Sequence, residues 1–153
     1  MSKNSKKKQL IVEVKEPCFI HKTATNGNEM TIMVGRYALP WKAITNIPLC
    51  DAVLVKLNKV KKAFPDARIE FNFSRENPAF LFKSFGITTR HDEDKHDPFI
   101  GMRVAKAKAV ARAIAISIAI SKAIKVGLEE ELNRTIDVLN VWRQKEKKII
   151  KEI

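Results

Sequence analysis

Imidazoles and carboxylates crowd one short stretch of this chain: His91, Asp92, Glu93, Asp94, His96 and Asp97. Both are proper ligand types for zinc or manganese. Their spacing, however, fits no metal motif. Read as a calcium loop from Asp92, the stretch puts Asp97 where the turn glycine belongs and Arg103 where the bidentate glutamate belongs. No metal and no cofactor is therefore expected. The stretch reads instead as an acidic, solvated loop ahead of a helix. Asp97 can accept from unpaired first-turn amides, and Pro98 loses no hydrogen bond at the first helical position. The carboxylates also sit at the positive end of the helix dipole.

Other chemistries fare worse. Cys18 and His21 are separated by two residues, with Cys50 and His91 as conceivable partners, but a zinc site normally shows a second close pair and none is present. Ser84 with His91, or Cys50 with a histidine, names a nucleophile and a base without placing them together. There is no Walker A loop and no dinucleotide fingerprint, and the chain has five glycines in all. The expectation is a protein that is not an enzyme; the alternative is a metal-dependent enzyme using the 91–97 loop.

Positive charge is the stronger signal, at a net +12 over 153 residues. It gathers in an N-terminal arm (Lys6, Lys7, Lys8), a first helix (Lys56, Lys59), the opening of a long helix (Arg103, Lys106, Lys108, Arg112) and the C-terminal tail. Clustered cations gain by releasing counterions from phosphates, so DNA or RNA is the expected partner. Arg103 and Lys106 point roughly opposite to Lys108 and Arg112, so one clean basic stripe is not expected. Aromatics at 7% are too few for a stacking platform on single strands.

Two cysteines fit a reducing compartment. The N-terminus has charge but no apolar signal core, and the most apolar run, Ala113 to Ile120, is far shorter than the ~20 residues of a membrane span. The expected location is the cytoplasm, with no membrane partner.

These residues need elements to carry them. Residues 1–8 form a basic arm expected to be disordered, 9–90 an α+β core, and 91–153 the acidic loop with a helical region. Leu10, Val12 and Val14 alternate with polar residues as a half-buried strand does. Pro17 interrupts that strand, and Cys18 to Lys22 offers a short second one. Asn26-Gly27 marks a hairpin into a strand from Met30 to Tyr37, and Pro40-Trp41 opens an irregular connection. Asn46 offers a cap ahead of Pro48 for a helix from Leu49 to Phe64, with Val53, Leu57, Val60 and Phe64 on one face. Ile69, Phe71 and Phe73 alternate as a strand. Residues 79–90 read as a Phe-rich connection turning at Gly86.

A long helix is expected from Pro98 to about Val126, ended by Gly127, and a second amphipathic helix beginning at Glu129 with Leu128, Leu132, Ile136, Leu139 and Trp142 in one stripe. A single helix continuous through Gly127 is the alternative, at a cost of about 1 kcal/mol relative to alanine. Ile114, Ile116, Ile118 and Ile120 alternate as a strand would. On a helix they cover most of the circumference, so burial on several sides and self-association are expected.

The run from His91 to Gly101, followed by Ala105 and Ala107-Lys108-Ala109, resembles a motif in small proteins of bacteriophages and related mobile elements. There, an acidic His-containing loop with a D-x-F-D-like core precedes a helix that opens with glycine and small residues; here His96 stands at the aromatic position of that core. The resemblance spans residues 91–109. It implies an origin and a structural loop, with Gly101 allowing close packing of the helix start on the sheet, and it implies no activity.

The sequence thus predicts an α+β protein: a small, mostly antiparallel sheet with one packed helix, then a long Ala/Ile-rich helix and a C-terminal amphipathic helix. The expected function is a non-enzymatic, phage-derived accessory role in binding nucleic acid through the arm and basic helices. The alternative is a protein–protein assembly module, a virion component or an inhibitor of a host protein, working through the isoleucine-rich helix.

Overall fold

The computed structural model of the chain describes residues 11–44, 50–72, 78–89 and 98–153. The basic arm with Lys6, Lys7 and Lys8, the Asn46 cap and the 91–97 loop lie outside the described residues. Strand β1 (Val12–Thr23) and strand β2 (Glu29–Pro40) form a hairpin, followed by a four-residue helix α1 (Trp41–Ile44) and by helix α2 (Asp51–Ala63). Short strand β3 (Glu70–Asn72), long strand β4 (Ala79–Thr89) and helix α3 (Pro98–Glu152) complete the chain. The sheet order is β1-β2-β4-β3, with every neighbouring pair antiparallel. The fold is α+β.

Local chemistry explains the hairpin. Gly27 takes φ +87°, and its N–H donates to the Ala24 carbonyl at 2.9 Å. The Asn26 side chain accepts from the Asn28 N–H at 3.1 Å. This is the three-residue hairpin loop, a turn followed by a left-handed glycine, and not the two-residue Asn-Gly turn, which would need positive φ at Asn26 as well. Pro17 does not split the first strand in two, as its sequence suggests. The ladder shifts register between Glu13 and Lys15 and again between Lys15 and Cys18, so the proline is absorbed by bulging on an edge strand that needs no donor there.

Residues 79–90 are not a connection. Ala79 to Thr89 is the strand that pairs with β2 over its full length, from Pro40↔Ala79 to Met30↔Thr89. One alternation, Phe80, Phe82, Ser84 and Gly86, is buried. The other, Leu81, Lys83, Phe85 and Ile87, is apolar at all but Lys83, which blurs the period-two pattern and hides a strand in the sequence. Gly86 therefore marks a close approach and not a turn. A side-chain carbon there would run into the backbone of Ala105 and Ala109.

Helix α3 lies on that same sheet face. Ala105, Ala109, Ala113, Ile116, Ile120 and Ile124 are buried at helical spacing. The small residues come first, over Gly86 and Ser84, where the Ser84 hydroxyl donates to the Ala109 carbonyl at 2.6 Å. The isoleucines come later, where α2 also packs and the core holds Tyr37, Leu39, Val53, Leu57 and Phe80. The layers therefore form a wedge: helix and sheet nearly touch at one end and are spread by aliphatic and aromatic bulk at the other.

The expected break at Gly127 is absent, and so is a separate C-terminal helix; α3 runs unbroken for 55 residues, a rod of about 80 Å at 1.5 Å per residue. Gly127 faces α2, and a side-chain carbon there would come within 2.7 Å of the Val53 Cα. Packing against α2 selects this glycine, where a helix stop would have been inferred from local rules alone. Glu129 to Glu131 consequently lie inside a helix. The four alternating isoleucines divide cleanly: Ile116 and Ile120 are fully buried, while Ile114 and Ile118 are 46% and 50% exposed on the opposite side. Within one chain the middle of the helix is covered on one side only.

Candidate interaction surfaces

Among the described residues, the basic side chains expected to bind nucleic acid do not converge. Lys56 Nζ forms an ion pair with Glu130 at 2.8 Å, tying α2 to α3. Lys59 lies on the same helix and helps to hold the Glu130 carboxyl below its usual range, after the Lys56 hydrogen bond that lowers it most. Lys108 donates to the Ile87 carbonyl at 2.9 Å, and the Arg112 guanidinium sits 5.6 Å from the centre of the Phe64 ring. These four side chains serve the fold's own contacts. Arg103 and Lys106 remain exposed and border a shallow groove lined by Ala107, Val110, Ala111 and Ile114. They stand about 40 Å along α3 from the Lys56–Glu130 pair.

Nothing catalytic assembles from the described residues either. Ser84 is fully buried and committed to the Ala109 carbonyl. Cys18 and His21 pair across β2 with Val34 and Thr31, which places them on opposite faces of the sheet. No group of three His, Cys, Asp or Glu converges to hold a metal among the described residues. No helix among them is long and apolar enough to cross a membrane.

What the fold leaves open is apolar. Past Leu128, α3 leaves the other elements behind, and from Leu132 onward every residue is exposed. Leu132 is 62% and Trp142 61% exposed, with Leu139 and Ile149 close to half. These four fall at alternating spacings of seven, three and seven residues, which is the a/d seam of a coiled coil. The outward face of the earlier part of α3 carries Ile100, Val104, Ile114 and Ile118 on the side away from the sheet.

A second apolar surface was not legible in the sequence. On the sheet face away from α3, Ile20, Ile32 and Ile87 lie side by side across three strands, next to Cys18, Val34 and Phe85. Ile20 and Ile87 are exposed and Ile32, Val34 and Phe85 half-buried. The signal that could have found it is the apolar character of both alternations in β4. No protein family, curated protein or solved structure matches the chain.

Proposed function

We propose that the chain is a non-enzymatic assembly module that associates with other copies of itself through α3. One observation carries this reading: the projecting part of α3 presents Leu132, Leu139, Trp142 and Ile149 as a seam in water. Burying a leucine or isoleucine side chain is favourable by about 1.5–3 kcal/mol relative to leaving it exposed. Helical segments in proteins also owe most of their stability to such packing. A helix that extends beyond its own domain with an apolar seam is built to meet another surface.

Sedimentation or light scattering across a concentration series tests the reading. The expected result is mass-action association, with Trp142 fluorescence shifting to the blue as the seam is covered. A strict monomer at high concentration, with an unchanged spectrum, removes it.

A second reading has its own support. From Pro98 to Val126 the chain has six cations and no acid. Arg103, Lys106, Lys122 and Lys125 are exposed, with no ion-pair partner among the described residues. Nucleic acid held by these side chains, with the N-terminal lysines added, would bind with little sequence preference. Engagement of four phosphates on duplex DNA gives a log–log salt slope of roughly −3.6. An anisotropy titration whose affinity is the same at low and high salt would discard the idea.

A further inference from the structure

The seam on the projecting helix has a polarity that restricts what can lie against it. Its successive positions from Leu128 to Ile153 alternate by four and three residues, and two of them are polar, Thr135 and Glu146. Turned end for end about a point between Asn140 and Val141, the seam matches itself. Leu132 then meets Ile149 and Leu139 meets Trp142, while Thr135 meets Glu146; Leu128, opposite Ile153, packs against the core of its own domain. Apolar positions face apolar ones, and the polar residues face each other in two symmetry-related layers. Placed parallel and in register, the same seam would set Glu146 against Glu146 in its interior, with two like charges and no counter-ion between them.

Charge points the same way. Residues 128–140 carry four acids and one base, a net −3, and residues 141–153 carry five bases and two acids, a net +3. Two copies laid antiparallel set each acidic half against a basic half, and two laid parallel oppose like with like. Glu130 and Glu131 have partners within the chain, Lys56 and Arg134; Arg134 is already counted, and Lys56, from α2, offsets one charge and leaves the acidic half at a net −2.

We propose that the occupant of this seam is a second copy of the chain, antiparallel, with a two-fold axis crossing the helix pair between Asn140 and Val141. The proposal rests on the assembly reading above and specifies its partner and orientation. A closed, isologous pairing of this kind uses one patch twice and stops at two copies. The globular parts then lie at opposite ends of the pair. Two symmetry-related polar layers, each setting Thr135 against Glu146, fix the register, as isolated polar seam positions do in coiled coils. One flank is unfavourable: Glu131 falls near the partner's Glu152.

Amine cross-linking of the unmodified protein followed by peptide mapping tests the orientation. Lys125 and Lys151 are about 39 Å apart along their own helix, beyond a short cross-linker, but within about 8 Å along the axis of an antiparallel pair. A Lys125–Lys151 link in the dimer band is expected. A Lys151–Lys151 link without it means a parallel pair and overturns the proposal, while self-assembly stands. A dimer with neither link places the interface elsewhere, with the same consequence. A monomer at all concentrations, its seam left for a different protein, removes both readings. Glu152→Lys provides a second measurement. Opposite Glu131 it should tighten the dimer severalfold. Unchanged or weaker association counts against the antiparallel register.

Discussion

Gly86 and Ala105 touch backbone to backbone: the strand and the helix approach so closely that a methyl group on Gly86 would occupy the space of the Ala105 carbonyl. The contact fixes how α3 lies on the sheet, and it is made possible by Ala105 and Ala109 above and by Ser84 beside it. Gly86→Ala should therefore destabilise by more than the about 1–3 kcal/mol typical of overpacking, because the obstruction is main chain and cannot rotate away. Chemical denaturation of the two proteins measures it.

Gly127→Ala sets two effects against each other. Alanine gains about 1 kcal/mol of helix propensity, but its methyl would meet the Val53 backbone at 2.7 to 2.9 Å. Overpacking costs about 1–3 kcal/mol, so net destabilisation is expected. A higher melting temperature would mean that α2 is free to yield, and that Gly127 has no packing role.

Much of this architecture follows from residue patterns that local rules read well. The Asn26-Gly27 hairpin, the α2 stripe of Val53, Leu57 and Val60, and the start of α3 at Pro98 each rest on short-range chemistry that nothing farther away opposes. The misreadings share a physical cause. Gly86 and Gly127 carry the residue type that turns and helix stops need, and only the element packed against each one shows that the requirement is room for a neighbour. Strand β4 is apolar on both faces, so its period vanishes. The seam from Leu128 to Trp142 was visible as spacing. That it remains uncovered past Leu128 depends on where α3 leaves the domain, and no periodicity encodes that.

Leu139 and Ile116 lie on the same helix, and the same substitution should affect them in opposite ways. Leu139→Asp places a charge on a solvent-facing seam and should abolish association in sedimentation while leaving the near-ultraviolet circular dichroism of the core intact. Ile116 is fully buried, so Ile116→Asp puts an unpaired carboxylate in the core and should unfold the chain. A Leu139→Asp protein that still associates would show that the seam is not the interface.

Tyr37 is the only tyrosine in the chain, so its ionisation can be followed directly by ultraviolet absorbance. Burial raises its pKa above the ordinary phenol value, and the Glu13 carboxylate adds to the rise. Its hydroxyl has no hydrogen-bond partner among the described residues. With the folded pKa above the unfolded one, stability is intact below pH about 10 and falls as pH climbs from there, because the unfolded chain loses its proton first. Tyr37→Phe removes both the ionisation and the orphaned hydroxyl. The variant should be at least as stable at neutral pH, by up to about 1–3 kcal/mol, and should lose the alkaline decline. An ordinary titration midpoint in the folded protein would contradict the burial of this ring.

The Lys56–Glu130 pair lies where α3 passes α2 and leaves the domain, one turn beyond Gly127. The Lys56 hydrogen bond, then the charges of Lys56, Lys59 and Arg134, hold the Glu130 carboxyl below its usual range. A depressed folded pKa means that the stabilisation is present above the unfolded value of about 4.3 and is lost as pH falls through the folded value. Acidification should thus lower the melting temperature of the parent more than that of Glu130→Gln, with the two curves converging at the acid end. The difference should be small and should shrink further in salt, since the pair is partly solvent-exposed. Hydrogen exchange locates the effect. In Glu130→Gln at neutral pH the amides around Gly127 and Leu128 should exchange faster, while those around Ala109 do not change. Equal acceleration at both places would mean that the pair supports the whole fold and has no special role where α3 departs.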